Sequence, residues 1–193
     1  MNGPRAETQK ITRNNLVTDL ELYIPTDAER PLIPQFLKLL QSEKCFHRKH
    51  FLPGHITASS ILINKDNDLI LMNYHKSLNR WLNFGGHCDG EEDVLAVAIR
   101  ETMEESGLTA FKPIIADIVD IDIHTIPANP DKGEPEHAHF DIRYVMRMTE
   151  NQKPVVSEES LQLEWMNFKD ARSVIDNNDS LHRFISKAMD LVQ

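Results

Sequence analysis

The sequence predicts an α/β fold in which a mixed sheet is packed between helices. Three patterns point to it. Period-2 apolar alternation recurs on both sides of one central amphipathic helix, and helical spacing marks both ends of the chain. Strands and helices do not alternate regularly, which argues against a doubly wound parallel sheet.

Residues 1–12 are polar and expected to fray. Leu16, Val17, Leu20 and Tyr23 follow helical spacing up to Pro25, although LELYI also fits a short strand. Leu32, Ile33, Phe36, Leu37 and Leu40 form the stripe of a second helix, with Thr26 or Asp27 as its expected cap. The cluster His47-Arg48-Lys49-His50 reads as a solvated connector. ITASSILI is then a strand, Lys65 to Asp68 a turn and LILMNYH a second strand. After the loop from Lys76 to Arg80 come Trp81-Leu82-Asn83-Phe84 and the pair Gly85-Gly86. The central helix follows, with Asp93 as N-cap and Gly107 as its stop. Ile114 to Ile126 is β-rich, Ala128 to Pro135 is a loop and His137 to Met148 is a strand. Leu161 to Phe168 is the last strand, and Asp170 to Asp176 and Ser180 to Leu191 are helical. We divide the chain into a helical extension, residues 1–50, and a main domain, residues 51–193.

With 193 residues, 40% of them hydrophobic and 26% charged, the chain can bury a sizeable core. Its net charge of −9 argues against bulk binding to nucleic acid or to an anionic membrane, both of which need basic patches. A small polyphosphate remains compatible, because a metal can supply positive charge locally. Two cysteines, Cys45 and Cys88, are too few for a disulfide framework. The sequence shows neither the apolar h-region of a signal peptide nor a run of transmembrane length, so a cytoplasmic protein is expected.

The chemistry is concentrated in GHCDGEEDVLAVAIRETMEESGL, Gly86 to Leu108. Glu101, Glu104 and Glu105 lie at i, i+3 and i+4, on one face of a helix. No basic residue is expected on that face. Like charges four apart cost about 0.2–0.5 kcal/mol per pair, so the face calls for a cation. Clustered carboxylate oxygens suit a hard one such as Mg²⁺ or Mn²⁺.

The positions Gly86, Glu92, Arg100-Glu101, Glu104-Glu105 and Gly107-Leu108 together resemble the signature of the Nudix hydrolases. Two positions depart from it: Thr102 occupies an apolar position, and Phe84 stands where many members have proline. The resemblance implies a Nudix-like α/β/α sandwich with a mixed sheet. It also implies Mg²⁺-dependent cleavage of a diphosphate linkage in a nucleoside diphosphate derivative, with a small-molecule substrate and a possible homodimer. By the same resemblance Glu101, Glu104 and Glu105, with a backbone carbonyl of the Gly85-Gly86 turn, hold the metal. Arg100 orients the carboxylates around it, Glu92 included. The general base is a box glutamate, Glu101 or Glu104, or else a distant one, for which Glu158 and Glu159 are candidates.

Substrate contacts are expected from Arg80, pairing with phosphate, and Trp81, stacking on a base, although Trp81 also reads as a core aromatic. His137, His139, Asp141 and Arg143 share one face of their strand and are candidates to line the cleft. The two histidines and Asp141 also have the composition of a transition-metal site. Cys88 has no activating base nearby in sequence. Two other classes share the fold. One is a catalytically silent nucleotide sensor, which tends to lose the box carboxylates retained here. The other is isopentenyl-diphosphate isomerase, whose acting cysteine lies in a context that neither Cys45 nor Cys88 occupies.

Overall fold

A computed structural model describes residues 13–175 and 178–193, so the expected frayed terminus, residues 1–12, and Asp176 lie outside the described residues. The sheet is built around β1 (Gly54–Ile63), all ten residues of which are buried. β1 pairs in parallel with β7 (His137–Met148), from Gly54 opposite Ala138 to Ile63 opposite Arg147. Its other edge takes two antiparallel partners, β2 (Leu69–His75) and β4 (Phe84–His87). β2 in turn pairs with β3 (Arg80–Leu82) and β8 (Ser160–Asn167). β5 (Phe111–Pro113) and β6 (Asp120–Ile126) pair with β7. The β-rich run from Ile114 is therefore broken, because residues 114–119 cross between two strands.

Alternation along β1 divides the core in two. Ile56, Ala58 and Leu62 join a cluster with Leu16 and Leu20 of α1 (Arg13–Leu22), Phe36 of α2 (Ile33–Leu39), and Val94, Val97 and Ala98 of α3 (Val94–Ser106). Ile61 and Ile63 join a second cluster with Ala171 of α4 (Phe168–Ser173) and Leu181, Phe184, Ile185 and Ala188 of α5 (Asp179–Asp190). Helices cover both faces, as the α/β/α expectation requires. The described part of the first fifty residues shares a core with the sheet. Among the described residues no helix is long and apolar enough to cross a membrane.

Thr26 does not cap α2, which begins at Ile33 after Leu32, without a side-chain cap. Thr26 instead opens a turn closed by the carboxylate of Glu29, which accepts the Thr26 N–H at 2.8 Å and its hydroxyl at 2.7 Å. Glu29 is fully buried, and Lys187 Nζ of α5 reaches it at 2.6 Å. That contact ties the N-terminal segment to the last helix.

A second buried network fixes the far side of the sheet. Arg143 on β7 donates Nε to Asp141 at 2.8 Å, Nη1 to Asp120 at 3.0 Å and Nη2 to Asp122 at 3.2 Å. Ser180 accepts from Nη1 at 2.7 Å, and Arg183 of α5 donates to Asp120 at 2.7 Å. Removing one partner of such a network leaves the rest as uncompensated buried charge. Arg143→Met should therefore lower unfolding stability by about 3–5 kcal/mol, read as a fall in the urea midpoint.

Candidate active site

Helix α3 carries the clustered carboxylates, and its ends are set as the sequence suggests. Asp93 accepts the Ala96 N–H at 3.0 Å, and Gly107 adopts the left-handed conformation, φ +67°, that a side chain would disfavour. Thr102, the polar residue at an apolar motif position, is fully buried. Its hydroxyl donates to Ala98 O at 2.6 Å and lies 2.5 Å from Ser60 Oγ, so a matched pair joins helix to sheet. This locks α3 across β1 with its acidic face against Gly85 and Gly86, which lie within strand β4, opposite Ser59 and Ala58, and not in the turn the sequence suggested.

The glycine pair and the carboxylates fit closely. Glu105 accepts the Gly85 N–H at 2.9 Å and Asn73 Nδ2 at 2.7 Å. A Cβ on Gly86 would lie 2.5 Å from the Glu101 carboxylate, so a side chain there would push that carboxylate out of its present place. Burial pushes the Glu105 carboxyl up to about 7, against the hydrogen bonds from Gly85 and Asn73 and with help from the charges of Glu101 and Glu159. Burial likewise raises Glu101, and the neighbouring Glu104 and Glu159 add to it. These are carboxylates whose charge the fold disfavours unless a cation is present.

One sequence expectation needs correction. The acidic face does have a basic partner, because the Arg100 side chain reaches round the helix. Its Nη1 lies 2.8 Å from Glu101 and 3.0 Å from Glu104, and its Nη2 donates to His87 O at 3.0 Å. Glu92 is not held by Arg100. It pairs with Arg13 at 2.9 Å and accepts the Arg13 N–H at 3.2 Å, because the start of α1 lies over that end of α3. Glu105 has no ion pair among the described residues and is held by neutral donors alone. The donor set of Glu101, Glu104 and Glu105 with the glycine pair is all oxygen and fits a hard divalent cation.

The other candidates are distributed unevenly. Glu159 is exposed at the mouth of β8, close enough for its charge to act on both Glu101 and Glu105, while Glu158 beside it is exposed as well. Arg80 is exposed on β3, and Trp81 is half-buried, edge-on to Tyr74 with centroids 5.1 Å apart. Asp141 and Arg143 face inward: Asp141 accepts from Thr57 at 2.9 Å and Ser59 at 2.7 Å, and Arg143 is held within the aspartate network. His139 belongs instead to a group of imidazoles. Its ring lies 4.8 Å from His55, 5.0 Å from His87 and 5.4 Å from His124. Burial holds Cys88 far above the usual thiol range and pushes Cys45 up to about 11, so neither is an activated nucleophile.

Sequence reasoning missed Asn73, whose only signal was a polar residue in an otherwise apolar strand. It also missed His55 and His87, which become neighbours of His139 only through strand pairing.

The profile of the NUDIX domain matches residues 53–188. The chain belongs to the Nudix family. It is a Nudix hydrolase, of a class acting on pyrophosphate bonds. A relative from Lactococcus lactis subsp. cremoris, described as a probable DHNTP pyrophosphohydrolase, is 30% identical over 140 residues, covering 72% of this chain and 81% of its own. Two solved structures share the fold. C. elegans Ap4A hydrolase in a binary complex has a TM-score of 0.54 at 19% identity, covering 68% of this chain and 93% of its own. E. coli dihydroneopterin triphosphate pyrophosphohydrolase has a TM-score of 0.54 at 14% identity, covering 68% of this chain and 92% of its own.

The raised Glu105 has a measurable consequence in metal-free protein. The folded state binds this proton more tightly than the unfolded chain does. Its contribution to stability is therefore complete below about pH 4.5 and is lost as pH rises through about 7. In chelator, urea titrations between these limits should lose roughly 3 kcal/mol from this group. Glu105→Gln should flatten that slope.

Proposed function

We propose that this Nudix hydrolase is Mg²⁺-dependent, with Mn²⁺ as a substitute, and cleaves a diphosphate linkage in a nucleoside polyphosphate or nucleoside diphosphate derivative. The observation that carries this reading is the pairing of Glu101 and Glu105, both raised by burial, with the tightly packed Gly85-Gly86 segment of β4. Glu101, Glu104, Glu105 and the Gly85 carbonyl would hold the metal. When bound, it neutralises phosphate oxygens and lowers the pKa of water.

The chain's own residues would do the rest. Arg100 fixes the Glu101 and Glu104 carboxylates in one orientation. Gly85 N–H and Asn73 fix Glu105. Glu159 is our choice for the base that takes the proton of the attacking water, with Glu101 and Glu104 the box alternatives. Water oxygen bonds to phosphorus, the bridging P–O bond breaks and two phosphate-bearing products leave. Exposed Arg80 meets the polyphosphate and half-buried Trp81 stacks on the base. Asp141 and Arg143 lie in the same rows of the sheet as His87 and Gly85, buried beneath the site, while His139 packs against the His87 ring. The Lactococcus relative supports placing a pterin triphosphate among the substrates to be tried.

Retention of every box carboxylate favours turnover over silent sensing. A panel of nucleoside triphosphates, dihydroneopterin triphosphate, nucleotide sugars, ADP-ribose and dinucleoside polyphosphates should show Mg²⁺-dependent release of phosphate or mononucleotide. On the best substrate, Glu104→Gln and Glu105→Gln should each reduce kcat by several orders of magnitude while the protein stays folded. Glu159→Gln should cost about 10²–10⁴-fold. Binding without turnover across the panel would favour the sensor, and unchanged activity in both box variants would refute the mechanism.

A further inference from the structure

The imidazole cluster at the start of β1 and β7 is not used by the mechanism above. His55 is fully buried, His137 is 6% exposed and His139 is half-buried. One ring nitrogen from each lies within 4.8 Å of those of the other two. The rings of His55 and His137 are stacked, with centroids 5.0 Å apart. The parallel register places His55 directly opposite His139.

The hydrogen bonds decide which nitrogens are free. His137 Nδ1 faces Pro135 O at 2.7 Å, and His55 Nδ1 faces His50 O at 3.3 Å. A carbonyl only accepts, so in both residues the proton must be on Nδ1. The Nε2 lone pairs are left pointing elsewhere. His55 Nε2 and His139 Nε2 are buried without a hydrogen-bond partner. A buried ring nitrogen without a partner is costly, and the fold tolerates two of them side by side. Nδ1–H to a backbone carbonyl, with Nε2 free, is the usual arrangement of a metal-ligating histidine.

We propose that His55, His137 and His139 form a binding site for a borderline divalent transition-metal ion of the Zn²⁺ type, separate from the carboxylate site. Three neutral imidazoles suit Zn²⁺ and its neighbours far better than Mg²⁺. Three protein ligands leave a fourth position for water or for a phosphate oxygen. His87, whose ring lies 5.1 Å from His55, directly follows Gly85-Gly86 in β4. The site therefore lies next to the centre that would hold the substrate's phosphates, and it stands whether or not that hydrolytic reading holds.

The test uses the full chain carrying Glu104→Gln and Glu105→Gln, stripped with chelator, so that the carboxylate site is crippled. Equilibrium dialysis against Zn²⁺ with metal analysis should give one equivalent bound. Co²⁺ in its place should give the visible absorption of a four-coordinate nitrogen-ligated ion. His137→Gln and His139→Gln, added to this background, should each weaken Zn²⁺ binding by at least tenfold. Histidine-ring NMR needs no further substitution: Zn²⁺ should perturb the signals of His55, His137 and His139. Less than a stoichiometric equivalent, undiminished binding in the histidine variants, or unperturbed ring signals would each overturn the proposal.

Discussion

The parallel pairing of β1 with β7 is the constraint on which the rest of the structure depends. It brings residues more than eighty positions apart into register: His55 beside His139, Thr57 beside Asp141 and Ser59 beside Arg143. On one face this register makes the hydroxyl floor under Asp141 and, through it, seats the Arg143 guanidinium. On the other face it aligns Ile56, Ala58 and Leu62 with Phe140 and Ile142 to form the bed for α3. It also leaves the opposite edge of β1 free to pair with β4, which positions Gly85 and Gly86 against Glu105 and Glu101. A one-residue slip would exchange the two faces and dismantle both arrangements together.

The chain is acidic, so acidic residues alone do not mark the site. Their partners do. Asp120, Asp122 and Asp141 all reach the Arg143 guanidinium, and Arg183 adds a second cation at Asp120. Glu29 is similarly held by Lys187. In these networks the charge is matched within the fold. Glu105 is different, since it is as buried as the aspartates but has only neutral donors. Glu101 and Glu104 share one guanidinium nitrogen between two carboxylates. Burial without matched charge separates the acids poised for an outside cation from those that hold strands together.

Much of this was readable in the sequence where local rules suffice. The α3 caps, the turn from Lys65 to Asp68 and strands β1, β2, β7 and β8 follow from spacing and turn chemistry. The acidic face and its glycine pair were visible because the motif is contiguous. Long-range features were not. The partner of Glu92 comes from α1, seventy-nine residues away. Arg143 was a plausible cleft residue until β6 placed Asp120 and Asp122 beside it, and strand alternation alone cannot separate a cleft face from a buried ion network. That Arg100 orients motif carboxylates was legible, but not that it neutralises the Glu101 face: helical-wheel spacing places Cα atoms, whereas a guanidinium extends past its own face.

The same distinction orders the donors on either side of the glycine pair. Toward α3 the available atoms are carboxylate oxygens, hard and anionic. Toward the start of β1 and β7 they are imidazole nitrogens, softer and neutral, with burial pushing His55 and His87 down to about 4 and His139 down to about 2. A cation on one side would be held mainly by charge and on the other mainly by the softer, more covalent nitrogen donors, so the two sides need not compete for the same ion. His87 joins them, because its backbone carbonyl anchors Arg100 while its ring packs against His55 and His139. A shift of either group would therefore reach the other through a single residue of β4.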